Sequence, residues 1–151
     1  MIIGSFNIRG LGGRIKKRKV CEFISANHLD CVLHQETKLS TVFEALCHYL
    51  WSNSFCNYNF TPTVGNSGGI LSIWCSSRGR PVFSFSGPGF VGVCLEWGVL
   101  RHRCFIVNVY SKCSLAMKRL MWEKLLEVKS SLRGDLWCVA GDFKSVLHES
   151  E

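Results

Sequence analysis

No stretch of this sequence approaches the roughly 18 uninterrupted apolar residues that a membrane-spanning helix needs, because serine, glycine, asparagine or a charge breaks every run. Membrane insertion is therefore not expected. No basic segment precedes an apolar run at the start, where Ile2 and Ile3 follow Met1 directly, so no secretory signal is visible and an intracellular protein is expected. C-x-x-C pairs are also lacking. The nine cysteines (Cys21, Cys31, Cys47, Cys56, Cys75, Cys94, Cys104, Cys113 and Cys138) are odd in number and evenly spread. That pattern has neither zinc-site nor disulfide-framework spacing and implies reduced thiols that mostly fill a core. There is no internal repeat, low-complexity tract or interdomain linker. Acidic residues are few, 11 against 18 Lys and Arg, and the resulting charge of +7 suggests an anionic partner, of which nucleic acid is the commonest.

What the chain does hold is apolar material: 47% hydrophobic residues against 19% charged, over 151 residues. This excludes disorder and suffices for a core without a metal or disulfide staple, so residues 1–151 are read as one domain. Ile2 to Ile8 reads as a strand, Arg9 to Gly13 as a glycine-punctuated loop, and Ile15 to Asn27 as a helix with Val20, Phe23 and Ile24 on one face. Asp30 to Gln35 is a short strand. A second helix carries Val42, Ala45, Leu46, Tyr49 and Leu50 at helical spacing.

Short β-type runs follow: Tyr58 to Thr61, Gly69 to Trp74, Val82 to Phe85, Phe90 to Glu96 and Cys104 to Tyr110, with a hairpin at Trp97-Gly98. They predict a meander. Ser114 is placed as the N-cap of a helix reaching about Leu132, with Met121, Leu125, Val128 and Leu132 inward. Leu136 to Ala140 is predicted as a buried strand, and another element begins at Val146, Leu147 and His148. This order fits an α/β layered domain with a largely antiparallel sheet.

Four polar residues stand where apolar runs end: Asn7, Glu36, Tyr110 and Asp142. Strand ends are where a rigid sheet aims side chains at a shared ligand. Cleaving a phosphodiester with water takes a hard cation on oxygen ligands, a polarised water and donors for the developing charge. Two carboxylates, an amide and a phenol are suitable types. Singly, each also fits a structural role: a turn cap for Asn7, a helix-start acid for Glu36, a core aromatic for Tyr110, a turn acid for Asp142. The basic cluster Lys16, Lys17, Arg18 and Lys19 fits equally a solvated helix start or a phosphate-contacting patch.

The local sequence around all four is more specific. Ser5-Phe6-Asn7-Ile8-Arg9-Gly10-Leu11, Gln35-Glu36-Thr37-Lys38, Gly68-Gly69 with the strand to Trp74, Val107-Asn108-Val109-Tyr110, and Gly141-Asp142-Phe143 resemble, in order, the motifs of the endonuclease/exonuclease/phosphatase family. The opening is similar to the endonuclease domains of plant non-LTR retrotransposons. The resemblance implies a four-layer α/β/β/α sandwich of the deoxyribonuclease I-like type and Mg²⁺-dependent hydrolysis of DNA, with Mn²⁺ an alternative and no organic cofactor. It implies Glu36 as principal metal ligand, Asn7 beside it as a metal-shell or phosphate-orienting amide, Tyr110 approaching the phosphate, and Asp142 positioning or deprotonating the water. A nuclear location would follow for such an enzyme.

Two departures bear on activity. Lys144 stands where the family pattern has Asn, and a lysine lacks the amide's acceptor; it can bind phosphate as a point charge or pair with Asp142 and neutralise it. The family's closing Ser-Asp-His motif does not occur before Glu151, and His148, without a preceding Asp, does not replace it. The expectation is a domain truncated at its C-terminal side, inactive alone, with the missing C-terminal half as a partner and with poor solubility from uncovered strand edges. Two alternatives stay open: a non-catalytic nucleic-acid-binding relic, and a phosphoesterase of the same family acting on a small phosphoester. His34, in an apolar run, is read as a tolerated substitution that costs stability if its imidazole has no partner.

Overall fold

The computed structural model of the protein describes residues 1–65, 67–111, 114–132 and 136–144. Lys112, Cys113 and the expected element at Val146, Leu147 and His148 fall outside them. The elements run β1 (Ile3–Asn7), α1 (Arg14–Ala26), β2 (Cys31–Gln35), α2 (Glu44–Trp51), β3 (Cys56–Val64), β4 (Ser67–Cys75), β5 (Gly79–Gly87), β6 (Phe90–Trp97), β7 (His102–Tyr110), α3 (Leu115–Ser131) and β8 (Leu136–Asp142).

They form two four-stranded sheets, ordered β1-β2-β4-β3 and β5-β6-β7-β8. The middle is not one meander: β3 and β4 make a hairpin in the first sheet, and the chain then changes sheets for β5, β6 and β7. Two pairs are parallel, β1 with β2 and β7 with β8, and the rest are antiparallel.

Period-two alternation sorts the side chains of β2. Cys31 and Leu33 point between the sheets to join Trp74, Val93, Leu95, Cys104 and Ile106, whereas Val32 points outward to Leu50, Leu71 and Ile73 under α1 and α2. On the other side, Phe90, Val107 and Val109 pack under Met121 and Leu125 of α3. Helices thus cover the outer face of each sheet. Each fully buried Leu, Ile or Phe contributes about 2 kcal/mol of transfer free energy.

The predicted helices form with shifted edges. Val42 precedes α2 yet is buried, and Leu50 is buried as expected, while Tyr49 is exposed and Cys47 and Trp51 fill the interior instead. Ser114 occupies the N-cap position of α3 without a side-chain cap hydrogen bond. The expectation of a buried last strand is corrected: Leu136 and Val139 of β8 are exposed, because β8 is an edge strand among the described residues. Described cysteines are free, with Cys31, Cys47, Cys56, Cys94 and Cys104 buried.

Candidate functional site

Parallel pairing brings strand ends to one rim. Asn7 ends β1 beside Gln35, which ends β2, and Tyr110 ends β7 in register with Asp142, which ends β8. The two sheets meet there, because the Asn7 amide Nδ2 donates to Asp142 Oδ2. Lys144 closes the group: its Nζ lies 2.9 Å from Asp142 Oδ2 and 5.6 Å from the centre of the Tyr110 ring. Glu36, Tyr110 and Lys144 line one cleft of about 690 Å³. The two acids, the amide, the phenol and Lys144 are therefore neighbours, although 135 positions separate Asn7 from Asp142.

Backbone geometry holds Glu36 in place. Glu36 and Lys38 both adopt positive φ, 55° and 57°, which is uncommon for side-chain-bearing residues. The segment is stitched from both sides. Gly10 N and Leu11 N donate to the carbonyls of Glu36 and Thr37, and Thr37 N and Lys38 N donate to those of Gly69 and Gly68. Gly69, at φ 83°, has no room for a Cβ beside Thr37 Oγ1 and the Lys38 nitrogen. The Gly-Gly pair thus has a physical reason: it brings β4 close enough to grip the loop that carries Glu36. Gly141 answers the same need, since a Cβ there would overlap the carbonyl of Val109 in β7.

A buried polar network beneath the rim fixes how the sheets sit. Asn108 Oδ1 accepts from Gln35 Nε2 at 2.7 Å, and its Nδ2 lies within hydrogen-bonding distance of the carbonyls of His34 and Leu71 and of Ser72 Oγ. Gln35 Nε2 also reaches Ser5 Oγ. Asn108 precedes Tyr110 by two residues and Gln35 adjoins Glu36, so both are positioning residues that sequence reasoning passed over. The available signal was an amide inside an otherwise apolar run, which implies a satisfied partner once buried.

Desolvation pushes the Asp142 carboxyl up, but hydrogen bonds from Lys144 and Asn7 outweigh it and hold the group below the ordinary aspartate value. The same pairing with Asp142, helped by the charges of Tyr110 and Glu36 against some desolvation, raises the Lys144 ammonium. Of the two roles that sequence left open for Lys144, pairing with Asp142 is the one this geometry contains. The Lys144 backbone is anchored as well, its N–H donating to Asp142 Oδ1 and its carbonyl accepting from Lys118 Nζ.

The donor set suits a hard cation. Glu36 and Asp142 offer carboxylate oxygens and Asn7 an amide oxygen, whereas no group of three or more His, Cys, Asp or Glu side chains converges among the described residues. Carboxylate and amide oxygens are the ligands that hard divalent cations take.

The basic cluster divides on α1. Lys16 Nζ donates to the carbonyls of Ile8 and Arg9, at 2.9 and 3.3 Å, and so braces the loop behind Asn7. Arg18 pairs with Glu22, Lys19 lines a small hollow with Phe6 and Phe23, and Lys17 is half-buried. All four lie near the helix N-terminus, where positive charge opposes the helix dipole.

No family model and no curated relative matches the sequence. Solved structures do. The human Nocturnin catalytic domain with bound sulfate superimposes with TM-score 0.71 at 16% identity, over 95% of this chain and 64% of that one. The 3′ phosphatase NExo from Neisseria, bound to a product DNA hairpin, matches with TM-score 0.73 at 13% identity, over 98% of this chain and 59% of that one. An endonuclease/exonuclease/phosphatase family protein from Bacteroides thetaiotaomicron matches with TM-score 0.71 at 12% identity, over 98% and 65%. This is the deoxyribonuclease I-like fold. The chain spans about two thirds or less of the length of these neighbours, and at such low identity the likeness establishes the fold alone. Among the described residues no helix is long and apolar enough to cross a membrane.

Proposed function

We propose that this chain carries a divalent-metal-dependent phosphodiester site directed at DNA and attenuated by Lys144. The observation that supports it is the meeting of Asn7, Glu36, Tyr110 and Asp142 at one rim, in a fold shared with a phosphatase bound to product DNA. Mg²⁺ is the proposed cation, with Mn²⁺ an alternative, held by Glu36 with Asn7 beside it; when bound it would polarise the phosphate and offset charge developing on it. Asp142 would accept the proton of the attacking water, and Tyr110 would approach the phosphate with its hydroxyl. The Asn7 amide keeps Asp142 aimed.

Lys144 works against this. Its ammonium already occupies Asp142 Oδ2, the acceptor the water needs. We further propose descent from retrotransposon endonucleases, with a nuclear location following from it. The isolated chain is expected to nick supercoiled plasmid below detection with Mg²⁺. Lys144→Asn should bring nicking into view, at least about tenfold above background, and Glu36→Ala on that background should remove it. Strong nicking by the wild type would overturn the attenuation, and nicking indifferent to Glu36 would overturn the site.

The Lys144 to Asp142 pair also favours a second reading, a module that binds nucleic acid without cutting it. That reading expects DNA binding that survives Glu36→Ala.

A further inference from the structure

The end of the second sheet remote from the rim carries a differently built surface. There β6 and β7 are joined by a four-residue turn, Gly98 to Arg101, closed by Arg101 N donating to the Gly98 carbonyl at 3.2 Å. Gly98 N donates in turn to the Arg78 carbonyl at 2.9 Å and ties the turn to the segment before β5. Gly98 and Arg101 both take positive φ, 70° and 49°, so the chain reverses at these two shoulders and the residues between them form the apex. They are Val99, 99% exposed, and Leu100, 79% exposed. Glycine, asparagine, aspartate and serine are what turn formation favours, so two adjacent aliphatic side chains held out in water are not explained by the hairpin itself.

Behind the apex the surface is cationic. Val99 shares one hollow of about 300 Å³ with Arg78, Arg80 and Arg101, and Glu96 is the one acid among its described walls. Register sets Arg80 opposite Glu96, two residues before Gly98. Arg80 pairs with Glu96 and Arg78 with Asp30, whereas Arg101 makes no ion pair among the described residues. Arg78 and Arg80 stay 63% and 67% exposed, and because a guanidinium has five N–H donors, each keeps some for a further anion.

We propose that the turn between β6 and β7 is a membrane-docking tip, at which Val99 and Leu100 enter the surface of a bilayer while Arg78, Arg80 and Arg101 hold the phosphates of anionic lipids. The chemistry of the tip runs in the same order as that of a leaflet, in which a layer of charged headgroups covers an apolar interior. The two parts need each other: a few buried methylenes bind only marginally, and a basic patch supplies the second attraction. Nucleic acid satisfies the arginines equally well, but it presents phosphates outermost and offers an aliphatic apex nothing apolar unless bases unstack. Docking of this kind needs no spanning helix. β7, nine residues long, separates the turn from Tyr110 by roughly 30 Å, so the inference goes beyond the phosphodiester reading and does not depend on it.

The test is flotation of the full 151-residue chain with vesicles of phosphatidylcholine alone or mixed with phosphatidylserine, because aggregates sink and lipid-bound protein rises. Binding to the mixed vesicles is expected to be at least about tenfold tighter than to phosphatidylcholine alone. Arg101→Gln should weaken it about fivefold. Val99→Ser combined with Leu100→Ser should weaken it about tenfold. These changes fall in an exposed turn, and circular dichroism checks that the variants fold. Leu100→Trp should add emission that lipids brominated on their acyl chains quench, which charge attraction alone does not produce. Failure to bind mixed vesicles, binding that follows Arg101 but ignores the aliphatic pair, or loss of binding in Glu36→Ala overturns the tip. Duplex oligonucleotide binding that falls with Arg101→Gln while vesicles stay unbound also overturns it and assigns the arginines to nucleic acid. Vesicle binding that follows both sets of substitutions supports the tip even where Lys144→Asn yields no nicking, an outcome that counts against the rim alone.

Discussion

His34 is a costly residue. Its side chain is fully buried against Phe6, and neither ring nitrogen has a hydrogen-bond partner. Burial pushes its pKa down to about 4, because the imidazolium has no water or counter-charge to replace hydration. The folded protein therefore refuses a proton that the unfolded chain accepts below about pH 6.5. Stability is expected to fall as pH drops from about 6.5 toward 4, by an upper bound on the order of 3 kcal/mol. Asp142, with its depressed pKa, adds acid sensitivity only below the ordinary carboxylate range. His34→Leu should flatten the upper part of the profile in urea titrations at pH 5 and pH 8. An unchanged pH dependence would show that this imidazole finds a partner in solution. A polar residue inside the apolar run Cys31 to Gln35 was visible in the sequence; that both nitrogens would be orphaned was not, since that depends on what the outer layer places opposite β2.

Among strands, the contact between the two sheets and the edges matter most. Asn108 ties β7 to β2 and β4 through buried bonds, so Asn108→Ala should cost about 3 kcal/mol by chemical denaturation, since Gln35 and Ser72 lose a buried partner. Asn108→Asp would not rescue it, because a carboxylate cannot donate to the His34 and Leu71 carbonyls. A loss below about 1 kcal/mol would mean that the network does not set the sheet positions. The strand edges carry a second consequence. Among the described residues β1 and β8 are edges lying near each other, with Ile2, Leu136 and Val139 exposed. Exposed apolar edges pair with other chains. Concentration-dependent association of the isolated chain is expected, and Val139→Lys should shift light scattering toward the monomer. Association unaffected by that change would place the sticky surface elsewhere, for example on the exposed Leu120, Trp122 and Leu126 of α3.

For the molecule as a whole, a charge of +7 predicts DNA binding that weakens steeply with salt. Neutralising Lys17, Arg18 and Lys19 together should reduce the slope of log K against log salt by about 2 to 3 if all three meet phosphates. Lys16 belongs outside that set, because it braces the Ile8 and Arg9 carbonyls and its loss would disturb Asn7. A slope unchanged in the triple variant would return the cluster to a solvated helix start. Much of this protein was legible in one dimension. Hydrophobic periodicity depends on near neighbours, and it located the three helices, the eight described strands and the four polar residues where strands end, from which the family resemblance named the fold. Strand order and the exchange between sheets were beyond it, because periodicity does not say which strand lies beside which. Only the folded chain decided that parallel pairing carries Asn7 and Asp142 to one rim, that Lys144 turns onto Asp142, and that Asn108 and Gln35 lock the sheets beneath. Each of those depends on contacts between residues far apart in sequence, which the order of residues alone does not specify.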